Sequence, residues 1–161
     1  MPEPVPTVPS DANGVLEDFR IEFMDGWRRL PNKGLFLLLL AAWLALFHFL
    51  GNATLGYIPT PSLLGWMHAA YASTPDANGT DDSHGRLIPF AVLALFWWKR
   101  KTLLALPLRT WWPGLLLVVL ALGLHLVGYM VQQPRISIMA LFVGVYGLMG
   151  LCWGPAWLRE S

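Results

Sequence analysis

Asp81-Asp82-Ser83-His84-Gly85-Arg86-Leu87-Ile88-Pro89 is a polar, histidine-bearing stretch that passes directly into Phe90-Ala91-Val92-Leu93-Ala94-Leu95-Phe96-Trp97-Trp98 and meets Lys99-Arg100-Lys101. The apolar run from Leu87 to Trp98 reads as a membrane-crossing helix, but a short one. Twelve residues at about 1.5 Å each cover about 18 Å of a hydrocarbon core about 30 Å thick. Snorkelling by Lys99 and Lys101 recovers some of the length at one end. The rest of the deficit is expected at the other end, which draws Ser83, His84 and Gly85 to or below the membrane surface. Polar groups persist at that depth only when packed in protein or facing a water-filled cleft.

The rest of the chain agrees with a membrane setting. It has 161 residues, 55% of them hydrophobic and 13% charged, with nine tryptophans. Soluble domains carry about 25% charged residues. Three further segments are apolar enough to cross: 34–51, 111–131 and 136–158. The net charge of +1 argues against a nucleic-acid partner. The single cysteine, Cys152, excludes an internal disulfide framework and a thiolate zinc cluster.

Basic residues set the orientation. Arg28, Arg29, Lys33, Lys99, Arg100, Lys101, Arg109 and Arg159 fall on one side of the four spans, and only Arg86 and Arg135 on the other. The expected fold is therefore all-α: a polytopic transmembrane bundle of four spans, with both termini cytoplasmic, at the plasma membrane. Residues 52–86 form its outer loop, within a membrane domain covering 34–161. Residues 1–14 carry four prolines and no basic residue and read as a disordered tail rather than a signal peptide. Over 15–31, Leu16, Phe19, Phe23, Trp27 and Leu30 recur at spacings of three or four, which predicts an amphipathic helix on the membrane surface. Ser62 followed by Leu63 to Tyr71 predicts a short helix at the outer interface, and Thr110 a cap for the third span.

Four histidines, His48, His68, His84 and His125, fall on the expected outer side. No two show ligand spacing within one helix, so no metal or cofactor is expected. His125 reads as a polar contact between two helices. Along the fourth span Ala140, Gly144, Gly147, Gly150 and Gly154 form a stripe of small residues suited to close helix packing, with a span of this chain or with a partner helix.

Asp81-x-Ser83-His84-Gly85 with Leu87-Ile88-Pro89, an apolar span and Trp98-Lys99-Arg100-Lys101 resembles the N-terminal half of exosortases and archaeosortases. Trp66, Tyr71, Gln132-Gln133, Ser137 and the glycine-rich span ending near Trp153-Gly154 extend the similarity over roughly 35–159. Arg86 stands where the family usually has an aromatic residue. The resemblance implies a membrane protein-sorting cysteine peptidase or transpeptidase. Its substrates would be secreted or surface proteins with a C-terminal sorting signal, processed at the outer face. It marks Asp81, Ser83, His84, Gly85 and Pro89 as candidates for the outer cleft. The family's chemistry, a Cys, an Arg and a His or second Arg, is implied on later spans, and the chain is expected to be a fragment, or else a degenerate product, lacking them. Cys152, near the cytoplasmic end of its span between Leu151 and Trp153, reads as a packed thiol, so no catalytic residue is assigned. The alternative reading is a non-enzymatic four-span protein that assembles through its glycine face. A transporter fits less well, since the spans contain no acidic residue.

Overall fold

The computed structural model describes residues 12–53, 60–72 and 87–161. These form seven helices: α1 (Ala12–Arg29), α2 (Lys33–Leu50), α3 (Leu63–Ala72), α4 (Ile88–Ala105), α5 (Gly114–Met130), α6 (Pro134–Trp153) and α7 (Pro155–Glu160). No strand occurs among the described residues, so the all-α class stands. By length and composition α2 and α6 can each cross a membrane, and α5 is a shorter apolar helix of 17 residues.

The chain divides into Met1–Leu30 and Pro31–Ser161. In the first part, α1 starts at Ala12, so the expected tail gives way to helix earlier than its proline content suggested. Phe19, Phe23 and Trp27 lie one turn apart and their rings stack, with centroids 6.3 and 6.4 Å apart. Arg29 pairs with Asp25 across one turn at 2.6 Å.

In the second part α6 is the hub. α5 packs along it as an antiparallel hairpin, and α2 packs on it as well. Hydrophobic burial cannot drive association where lipid is as apolar as leucine, so close packing and interhelical polar contacts must do so. The small-residue stripe supplies the close approach. A methyl group on Gly144 would overlap the Trp43 ring of α2, and one on Gly147 would stand 3.0 Å from Val118 of α5. Trp43 and Phe47 from α2, Val118 and Ala121 from α5, and Ala140, Leu141 and Leu148 from α6 form the core. Trp43 Nε1 donates to the Leu141 carbonyl at 3.1 Å, giving a buried indole the partner it requires.

The α5–α6 turn is closed by backbone chemistry. Gln132 takes a left-handed conformation (φ 55°), its N–H donates to the Tyr129 carbonyl at 3.3 Å, and the Gln133 N–H donates to Gly128 at 2.9 Å. This is a Schellman closure with glutamine at the position glycine usually holds. Pro134 opens α6, where its missing N–H costs nothing.

Three expectations change. First, α4 does not stop at Trp98. It continues through Lys99, Arg100 and Lys101 to Ala105, eighteen residues or about 27 Å, because lysine and arginine are good helix formers. It ends where Pro107 disfavours helix in the residue before it. The apolar run is still twelve residues, but the helix is not undersized. Second, the fourth apolar segment breaks before residue 158. α6 ends at Trp153, Gly154 adopts φ 97° and ψ 174°, and α7 folds back so that Trp157 packs on Trp153 at 4.7 Å. Leu158 covers Gly150. Gly154 is thus the hinge of a reversal and does not continue the packing stripe. Third, Thr110 caps no helix. α5 begins at Gly114 with no side-chain cap, and the Thr110 hydroxyl accepts from Asn32 Nδ2 at 3.1 Å.

This last contact belongs to a junction at the Trp153 end. A helix C-terminus leaves carbonyls without intrahelical donors. The Trp111 N–H donates to Leu151 at 3.0 Å, Asn32 Nδ2 to Cys152 at 3.4 Å and the Arg109 N–H to Trp153 at 3.4 Å. Trp153 Nε1 in turn donates to the Pro31 carbonyl at 3.0 Å.

Candidate functional site

Polar side chains gather at the opposite end of the bundle, where α2 finishes and α6 begins. Gly51 ends α2 in a corner filled by Leu63, and the chain returns into α3. Asn52 is buried there: its N–H donates to Pro61 at 2.9 Å and its Nδ2 to the Thr60 carbonyl at 2.7 Å. Its role is to pin the corner. Ser62 caps the expected short helix α3, its hydroxyl accepting the Gly65 N–H at 3.0 Å. The same hydroxyl lies 3.1 Å from Nδ1 of His48, whose side chain is exposed.

One residue earlier on α2, Phe47 packs against the imidazole of His125 with ring centroids 4.5 Å apart. His125 Nδ1 lies 3.0 Å from Ser137 Oγ, joining α5 to α6 through a buried polar contact, as the sequence led one to expect of this histidine. Phe47 and His48 therefore link two His–Ser contacts through adjacent residues of one helix.

Neither serine is placed to act as a nucleophile. Ser137 is 1% exposed, and the Ser62 hydroxyl is held as a helix cap. Cys152 is fully buried at the other end of α6, and its own carbonyl is tied to Asn32. What this corner can do is fix geometry and present an accessible imidazole, that of His48. Among the described residues no group of three or more His, Cys, Asp or Glu is arranged to hold a metal ion.

Of the sequence-derived site residues, Pro89 is the second residue of α4, in the first turn, where proline fits. Asp81, Ser83, His84 and Gly85 lie outside the described residues. Lys99, near the far end of α4, reaches the α7 terminus. Eleven residues separate it from Ile88, so the start of α4 stands about 17 Å away along the helix. The Ser137–His125 pairing had no signal in the spacing of either residue, since it joins separate helices.

Compared with known families, residues 76–161 match the transmembrane exosortase family. The chain belongs to that family. The matched region opens just before the Asp81–Pro89 block and runs through α4, α5, α6 and α7, so the block that carries the resemblance is part of the exosortase domain. No similar curated protein and no similar solved structure was found. With its apolar helices, this exosortase is a membrane protein.

Proposed function

We propose that this exosortase forms the receiving side of a membrane protein-sorting peptidase or transpeptidase at the plasma membrane. In this reading α2, α4, α5 and α6 all cross the membrane and both termini are cytoplasmic. The His48 corner and the Asp81–Gly85 block then face outward, where a substrate's C-terminal sorting signal is engaged. The family match over 76–161 carries the reading. The asymmetry of the fold supports it: the polar His–Ser contacts cluster at one end, and the cations Lys33, Lys99, Arg109 and Arg159 lie toward the other.

Cysteine peptidase chemistry needs an activated, reachable thiolate beside a charge or base. Cys152 meets neither condition, so this reading gives it no catalytic role. His84 and His48 act here as groups that position the signal's backbone at the outer mouth.

Site-specific photo-crosslinking tests this. A crosslinker at position 84, in the chain expressed with a membrane substrate carrying a C-terminal sorting signal, is expected to capture that substrate. A crosslinker at position 119, on an exposed part of α5, is expected to capture much less. Equal capture from both positions, or none from position 84, would overturn the reading.

A further inference from the structure

The re-entrant helix α7 gathers cations from three separate segments. Lys99 of α4 places Nζ 2.5 Å from the Glu160 carbonyl, at the end of α7. Arg159 is the neighbouring residue, and it is exposed. Arg109 of the α4–α5 linker, also exposed, is held beside the start of α7 by its N–H bond to Trp153. From Pro31 onward, Glu160 is the only carboxylate side chain among the described residues, so within this unit the three cations outnumber the described acids.

A second observation points to a ligand. Trp157, 6% exposed, has a buried indole N–H with no acceptor. Leaving such a donor unpaired is costly, and buried tryptophans usually find it a partner. The neighbouring flank of α4 is apolar and uncovered: Leu95 is 55% exposed and Trp98 80%. Cations, an unpaired N–H and an apolar wall together match an amphiphile with an anionic headgroup.

We propose that α7 and the adjoining flank of α4 seat one anionic phospholipid. Lys99, Arg109 and Arg159 hold its phosphate, the Trp157 N–H meets a headgroup or ester oxygen once the ring shifts, and Leu95 and Trp98 line its acyl chains. A free phosphate ion would leave the apolar wall unused, so the occupant is a lipid. This does not depend on the sorting-signal reading, since it concerns the other end of the bundle.

The test is native mass spectrometry of the full chain in detergent, titrated with phosphatidylglycerol or phosphatidylcholine. One phosphatidylglycerol is expected to bind at least tenfold more tightly than phosphatidylcholine. Each cation removed should weaken it about fivefold, as expected for a basic side chain near an anionic lipid. R109Q/R159Q alters two surface positions and keeps the Lys99 contact with α7, so it tests the site without disturbing the fold. W157F, which keeps the ring and removes the N–H, should weaken phosphatidylglycerol more than phosphatidylcholine, and R135Q at the other end should change nothing. Equal affinity for the two lipids in the native chain, a preference that survives R109Q/R159Q, or displacement by inorganic phosphate at a matching concentration would overturn the proposal.

Discussion

The Trp43 ring lies over Gly144, and its Nε1 reaches the Leu141 carbonyl one turn away on α6. One residue on α2 thereby uses both kinds of contact that hold helices together in lipid, close packing and a hydrogen bond. Replacing Gly144 with valine is expected to force the ring out and to destabilise the bundle by about 1–3 kcal/mol or more. W43F keeps most of the ring and loses the donor, so it should cost about 0.5–1.5 kcal/mol. Unfolding by titration with denaturing detergent distinguishes the two, and a G144V chain as stable as the native one would refute the contact.

The His125–Ser137 contact makes a separate claim. S137A leaves the imidazole without its partner and is expected to destabilise by about 0.6 kcal/mol, and by no more than about 1.7 kcal/mol, the mean and maximum for polar contacts between membrane helices. A double-mutant cycle with H125F should return a coupling of similar size. A coupling near zero would show that the two residues are neighbours without an energetic bond.

Gly154 is predicted to be the least replaceable residue of the Trp153 end. Its φ of 97° with ψ of 174° belongs to a region that is essentially glycine's alone, and a Cβ there would stand 2.9 Å from the Arg109 carbonyl. G154A should cost on the order of 1–3 kcal/mol in the same unfolding assay. It should also expose the Trp157 ring, read as a red shift in tryptophan emission. An unchanged midpoint would mean that the reversal forms without glycine.

Cys152 provides a negative prediction. Fully buried near the end of the hub helix α6, it should react with a maleimide only after unfolding. C152A should leave any processing of a sorting-signal substrate within about twofold of native, whereas a true nucleophile is worth many orders of magnitude. Loss of processing in C152A, with the fold intact by circular dichroism, would make this thiol catalytic after all.

His84→Ala is expected to reduce processing of a tagged substrate without reducing the amount of chain in the membrane. Unchanged cleavage would remove His84 from the site. Ser83→Cys, labelled by an impermeant reagent applied from outside intact cells, checks the orientation independently. Labelling only after permeabilisation would reverse the topology.

The helices whose apolar runs end at glycine or proline could be read from the sequence nearly to the residue. α2 between Lys33 and Gly51, and α3 after Ser62, both have ends marked by local chemistry. The end of α4 was misplaced because a charge triplet ends an apolar run without ending a helix, and Pro107 was the better signal. The reversal at Gly154-Pro155 was written in that pair, but it competes with a continuous hydrophobic pattern through Leu158, and only the contact between Leu158 and Gly150 decides it. The partners of His48, Asn32 and Trp43 were not legible at all, because each lies on another segment and depends on which faces meet. Among the site candidates only Pro89 falls within the described residues, in the first turn of α4, while the histidine block beside it lies outside them.

The hub position of α6 has a consequence for biosynthesis. α2 and α5 are made before α6, yet each finds its tightest neighbour there, and the open carbonyls at the far end of α6 are claimed by residues synthesised up to 120 positions earlier. The earlier segments must therefore wait in the lipid with the Trp43 donor and the Asn32 amide unspent until α6 is delivered. Maturation of this protein is then a late, concerted locking step, and agents that stall translation before α6 would leave inserted helices that are loosely associated and open to proteolysis.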